Sequence, residues 1–155
     1  MHDKPRRKTP AHLPVLEFLG HPTIVFLTVC AEKRKRILCR DSVHRLLIET
    51  WGRANTWLIG RYVLMPDHLH LFCAPGVDEC PPLSQWVRFW KSMVSRQWPW
   101  PQEQPIWQKS FWDTQLRQGE SYAEKWEYVR QNPVRKGYVS DPESWAYQGE
   151  LNELR

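Results

Sequence analysis

No apolar run in the sequence approaches the roughly 20 residues that a bilayer-spanning helix needs, which excludes a helical membrane protein. The basic, proline-bearing start from Met1 to Pro10 is not followed by an apolar stretch, so a secretory signal is not expected. The four cysteines, Cys30, Cys39, Cys73 and Cys80, form no CxxC pair. A chain of 155 residues can build a hydrophobic core without covalent staples, so neither a disulfide scaffold nor a zinc knuckle is expected. Reduced thiols in a cytoplasm fit better. Internal repeats and low-complexity tracts are missing, and no pattern supports a P-loop, a GxGxxG turn, a cysteine nucleophile or a Ser-His-Asp arrangement.

What is there is one domain's worth of chain, 41% hydrophobic and 25% charged, the composition of a soluble globular protein. Two features depart from the ordinary. The ten tryptophans are many for this length, and the net charge of +5 is unevenly spread. Residues 1–40 hold nine Lys/Arg against three Asp/Glu, while the remainder is close to neutral. A basic edge with many aromatic rings suits a polyanion carrying flat bases, namely single-stranded nucleic acid. A solvated basic tail with tryptophan-heavy packing accounts for the same composition.

Along the chain, residues 1–22 read as a basic arm, and Thr23–Cys30 is β-branched and apolar, as a buried strand is. Lys33-Arg34-Lys35-Arg36 reads as a charged loop. Asp41 or Ser42 can then cap a helix whose apolar positions are Val43, Leu46, Leu47, Thr50 and Trp51. Trp57–Met65 and His68–Ala74 read as an antiparallel hairpin around the turn pair Pro66-Asp67. Leu83, Trp86, Val87, Trp90, Val94 and Trp98 mark one face of a second helix, and the proline-bearing 99–105 segment is a connector. Ile106–Asp113 reads as a further strand. Ser121 and Glu124 form a capping box opening a third helix, which must stop near Asn132 because Pro133 follows. Residues 23–147 thus form the domain, and residues 148–155 read as a tail or short helix. The order β-α-β-β-α-β-α predicts an α+β fold, a ferredoxin-like or RRM-like antiparallel sheet with its helices packed on one face.

Three groups could carry chemistry. His68 and His70 stand at i and i+2 on a strand, so both imidazoles project to one face and can converge on a cation. The same pattern also fits two histidines on a half-exposed strand. Tyr128 and Asn132 stand at i and i+4 on the third helix, and Tyr128 lies about 120° from the apolar stripe of Tyr122, Trp126 and Val129. A phenol placed there is a candidate nucleophile, or a plain surface tyrosine. Asn132 can offer a neutral oxygen to a metal, or simply end a helix before proline. The third group is basic: Lys33, Arg34, Lys35 and Arg36, then Arg88 and Lys91 on the second helix, then Arg135 and Lys136, each able to meet a phosphate or to be a solvated charge. Trp98, Trp100, Trp107 and Trp112 are candidate stacking platforms.

Taken together, Tyr62–Phe72 (YVLMPDHLHLF), Trp107–Asp113 (WQKSFWD) and Tyr128–Val139 (YVRQNPVRKGYV) resemble the REP-associated tyrosine transposases. Those are relatives of the small single-strand insertion-sequence transposases, within the HUH (His-hydrophobe-His) nuclease class. The likeness runs from about Thr23 to Tyr147. It implies that His68 and His70 are the HUH pair, that Tyr128 is the nucleophile and that Asn132 completes a site for Mg2+ or Mn2+; related transposases place a glutamine at that helix position. It further implies a protein that cuts and rejoins single-stranded DNA beside palindromic hairpins through a 5′-phosphotyrosine, a monomer in this branch where the insertion-sequence enzymes are dimers with exchanged tyrosine helices. A cytoplasmic, nucleoid-associated location would follow. Two other readings of the same residues are a non-catalytic single-strand or hairpin nucleic-acid-binding protein and a metal-dependent hydrolase in which Tyr128 is a bystander.

Overall fold

Strand β1 (Val25–Cys30) has neighbours on both sides of the sheet, so its β-branched and aromatic residues are buried in alternation. Val25, Leu27 and Val29 face one core, while Phe26 and Thr28 face the other side. Strands β2 (Trp57–Met65) and β3 (His68–Pro75) form the hairpin that Pro66-Asp67 predicts, with Met65 opposite His68. A short β4 (Trp112–Gln115) pairs with β1, and β5 (Gln148–Glu150) pairs with β2. The resulting antiparallel sheet has the order β4-β1-β3-β2-β5. The computed structural model describes residues 17–18, 21–116 and 121–154. Of the arm expected over 1–22, only the paired dipeptides Glu17–Phe18 and His21–Pro22 are among them.

Helices α1 (Asp41–Arg53) and α2 (Leu83–Arg96) lay their apolar stripes on the same face. Six tryptophans stand in that core. Trp51 meets Trp90 edge-on at 5.7 Å, Trp90 meets Trp107 at 5.6 Å, and Trp57 tilts against Trp86 at 6.1 Å. Four strands with these two helices make the ferredoxin-like α+β unit that the element order predicts. Helix α1 begins at Asp41 with Arg40 as its N-terminal flanking residue, and no side chain caps it. In α3 (Tyr122–Arg130), by contrast, Ser121 accepts from the Glu124 amide at 3.2 Å, as its sequence predicts.

Three expectations are corrected. First, α3 does not join α1 and α2. Its stripe of Tyr122, Trp126 and Val129 packs with Ile24, Val63, Met65 and Phe72 on the opposite face, because those strand positions are apolar too. Second, the strand expected over Ile106–Asp113 begins only at Trp112 and runs on to Gln115. Ahead of it, Lys91 takes the carbonyls of Gln108 and Lys109, and Trp107 makes a single isolated bridge to Ala31. Third, the C-terminal segment is not a tail. It adds β5, the Leu151 amide donates to the Gly60 carbonyl at 3.0 Å, and Leu154 joins the α3-side cluster.

Gly60 is where that side closes. The β2–β3 register shifts between Ile59 and Tyr62, and a Cβ at Gly60 would lie 2.5 Å from the Tyr122 hydroxyl and 2.7 Å from Leu154. The Tyr122 hydroxyl accepts from the Arg61 amide at 2.8 Å, so the irregularity in β2 anchors the first turn of α3.

Candidate active site

His68 and His70 open β3 and point to the α3 side, with ring centroids 4.8 Å apart. Strand pleating forces them onto one face, and the turn at Pro66-Asp67 puts them at the sheet's end. Each Nδ1 is held by the protein. The Thr28 hydroxyl lies 2.9 Å from His70 Nδ1, across the β1–β3 pairing, and Asp67 Oδ1 lies 2.7 Å from His68 Nδ1. The His70 ring also stacks on Phe26 at 5.3 Å. Asp67 is held in turn by Arg34, whose Nε donates to Oδ2 at 2.9 Å. The backbone at Lys33 and Arg34 is left-handed, φ 54° at both, and this tight turn folds Arg34 back onto the aspartate.

The charges follow from this packing. Burial lowers the His68 pKa, against the opposing pull of Asp67. His70 is pushed down to about 3 by burial, with His68, Lys125, Arg135 and Arg34 adding in the same direction. Burial alone would raise Asp67, but hydrogen bonds from His68 and Arg34 hold it below the ordinary carboxylate range. Both imidazoles are therefore neutral, and the Asp67 carboxylate holds one of them, His68. Among the described residues neither Nε2 has a hydrogen-bond partner, and with Nδ1 of His68 donating to Asp67, its Nε2 keeps a free lone pair. Neutral, oriented imidazoles backed by a carboxylate are what a divalent cation requires, so the donor chemistry fits one. Among the described residues no group of three or more His, Cys, Asp and Glu is gathered for a metal.

The third helix supplies the other half. Tyr128 is 47% exposed, off the buried stripe as its helical angle predicts. Pro133 ends α3 but is accommodated at the start of α4 (Asn132–Arg135), so Asn132 begins a new helical turn. Arg135 gathers this cluster: its guanidinium lies 4.3 Å from the Tyr128 ring centroid, donates to the Tyr128 carbonyl at 2.9 Å, and donates to Asn132 Oδ1. Lys125, one turn before Tyr128, lies 5.1 Å from the Phe26 ring on which His70 stacks. The tyrosine helix and the imidazole pair thus share one face of the sheet, with Arg135 and Lys125 acting electrostatically on His70 and Lys136 on His68.

The remaining basic residues divide. Lys33, Arg88 and Lys136 are exposed. Arg36 donates to the Tyr138 hydroxyl at 3.1 Å, and Lys35 donates to the carbonyls of Pro105, at 2.8 Å, and Glu103. Lys91, expected at a phosphate, is buried and donates to the Gln108 carbonyl at 2.6 Å; burial and the nearby Arg88 lower its pKa to about 8. It is a packing residue of the α2 side, because a main-chain carbonyl pair lies within reach of its stem. Sequence reasoning missed Thr28, Asp67 and Arg34 as supports of the imidazoles, and Lys125. The acidic residue directly before the first histidine was the one available signal.

Over 96 residues, 54% of this chain, it is 29% identical to a Haemophilus influenzae protein named as a REP-associated tyrosine transposase, covering 53% of that protein. A REP-associated tyrosine transposase of Escherichia coli is 24% identical over 61% of this chain and 55% of its own length. The chain is similar to REP-associated tyrosine transposases over this stretch. It spans about half the length of these curated relatives. A solved structure of a REP-associated tyrosine transposase bound to a REP hairpin superposes with a TM-score of 0.73 at 19% identity, over 90% of this chain and 81% of that one. A Deinococcus radiodurans protein described as a transposase superposes at 0.50 and 16% identity, over 81% and 97%. These likenesses establish the shared fold. No protein-family model matches the chain. Among the described residues no helix is long and apolar enough to cross a membrane.

Proposed function

We propose that this protein cuts and rejoins single-stranded DNA beside a palindromic hairpin, with Tyr128 as the nucleophile. The observation that carries the reading is the pair of neutral imidazoles with free Nε2 edges on the sheet face that the tyrosine helix covers. The named activity of the relatives, and the REP hairpin bound by the structural neighbour, point to the same substrate class.

The Tyr128 phenol oxygen attacks the scissile phosphorus, the bond to the 3′-oxygen breaks, and the phenolic proton is lost to solvent while the departing 3′-oxygen takes one up. The product is a 5′-phosphotyrosine and a free 3′-OH. Because the new bond is again a phosphodiester, a 3′-OH can reverse the attack and rejoin strands without ATP. The Arg135 guanidinium over the Tyr128 ring places a positive charge beside the attacking group, where negative charge builds up on the phosphate. His68 and His70, with Asn132 as third ligand, would hold Mg2+ or Mn2+, which when bound polarises the phosphate and offsets the charge that builds up on it. Asp67 and Thr28 fix the imidazole orientations for that task. The exposed Lys33 and Lys136, with Arg34, Arg36 and Arg135, offer phosphate contacts along the hairpin, while Arg88 lies on the α2 side of the sheet, away from the imidazole face.

The test is a labelled hairpin oligonucleotide with a single-stranded flank, incubated with the protein and Mn2+ and resolved in SDS. The wild type forms a covalent adduct; Tyr128→Phe reduces it to background while hairpin binding persists. Cleavage retained by Tyr128→Phe overturns the nucleophile assignment, and binding without any cleavage by the wild type would favour a plain nucleic-acid-binding module.

A further inference from the structure

The chain has ten tryptophans, and the structure sorts them. Trp51, Trp57, Trp86, Trp90, Trp98 and Trp107 are buried, and Trp100, Trp126 and Trp145 are partly covered. Trp112 alone is exposed, at 39%. It sits on edge strand β4, where Thr28 of β1 pairs with Trp112 on one side and with His70 of β3 on the other. Directly paired residues of an antiparallel sheet project to the same face, so the indole stands in register with the imidazole pair. Neighbouring strands lie about 4.8 Å apart, which sets the indole roughly 10 Å from His70. In the adjacent row Thr114 pairs with Phe26, and the Lys125 ammonium lies over that phenyl ring. An open aromatic face, a cation over the neighbouring strand and a candidate phosphate site two strands away stand in the order of base and backbone along an unpaired strand.

We infer that Trp112 is a stacking platform for an unpaired base of the strand next to the scissile phosphate. This rests on the single-strand reading of the site. It explains why a residue with so much apolar area is left outside a core that holds nearly every other tryptophan. Trp112 positions DNA and has no part in bond making, so its effect belongs to affinity and to the placement of the flank.

Hairpins with and without the single-stranded flank, the flank carrying 2-aminopurine at successive positions, test this with the full chain. Wild type quenches the probe at one position. Trp112→Ala loses that quenching and weakens binding of the flanked hairpin about tenfold, while binding of the bare hairpin and thermal unfolding stay unchanged. Trp112→Phe, which keeps a ring, restores most of both. Trp112→Ala that binds the flanked hairpin as tightly as wild type, with quenching intact, overturns the inference, as does a wild type that discriminates neither flank nor probe position. Adduct formation on the same oligonucleotides separates the two ideas. Adducts with an indifferent Trp112 sink only the platform, whereas Trp112-dependent quenching without adducts sinks only the strand-cutting reading.

Discussion

At the scale of single residues, the site depends on who holds the imidazoles. Asp67 ties His68 at 2.7 Å and is itself tied by Arg34, so one carboxylate sets the ring's tautomer and angle. Removing its charge while keeping its shape weakens ion binding without disturbing the strand. We expect Asp67→Asn to raise the Mn2+ concentration giving half-maximal adduct by about 10- to 100-fold, the usual effect of losing such a partner, with an unchanged unfolding midpoint. An unchanged Mn2+ requirement would show that Asp67 serves only the turn. The imidazole pair and the phenol were legible in the sequence because strand and helix periodicities fix which way His68, His70 and Tyr128 point. Their supports were not. Thr28 reaches His70 only through the β1–β3 register, and the inward fold of Arg34 depends on a left-handed turn that a run of basic residues does not advertise. Lys91 illustrates the reverse error: its charge suggested DNA, but two carbonyls of a distant loop had claimed it.

At the scale of elements, the question is what seats α3 over the histidine face. Its stripe is short, and the anchor at its first turn is the Tyr122 hydroxyl on the Arg61 amide, reached through the gap left by Gly60. Filling that gap with a methyl forces Tyr122 and Leu154 away. Gly60→Ala should cost about 1–3 kcal/mol in urea unfolding, as overpacking does, and should slow adduct formation although residue 60 touches no candidate site residue. Full adduct rates in a destabilised Gly60→Ala would show that the seating of α3 is set elsewhere. The hairpin, the three long helices and the Ser121 cap could be read from the sequence because period, turn chemistry and capping agree there. Strand β5 could not, since Gln148-Gly149-Glu150 carries no apolar alternation and pairs only because β2 offers an edge. Nor could the placement of α3, because apolar residues on both faces of β2 and β3 leave the choice of face to packing.

At the scale of the whole molecule, the α1 and α2 layer is tied together by Glu103. Arg40 grips its carboxylate at 2.8 and 2.7 Å, and Trp98 Nε1 donates to it at 2.8 Å. The hydrogen bonds from Arg40 hold the Glu103 carboxyl below its ordinary value. The folded state therefore favours the ionised form. That stabilisation is complete above the unfolded glutamate pKa, about 4.3, and is lost as pH falls through the lower folded value. Glu103→Gln should cost about 1–2 kcal/mol at neutral pH, and the difference from wild type should shrink steadily towards pH of about 3. A gap independent of pH would mean that the glutamate contributes by shape alone.

One measurement bears most directly on the whole account. After reaction with the flanked hairpin and Mn2+, tryptic digestion isolates the peptide Trp126–Arg130, which contains Tyr128. Mass spectrometry should find that peptide carrying a nucleotide through a phosphate on the phenol oxygen, with the released DNA fragment ending in a 3′-OH. Cleaved DNA bearing free 5′-phosphates, with the peptide unmodified, would contradict a strand transfer run by Tyr128.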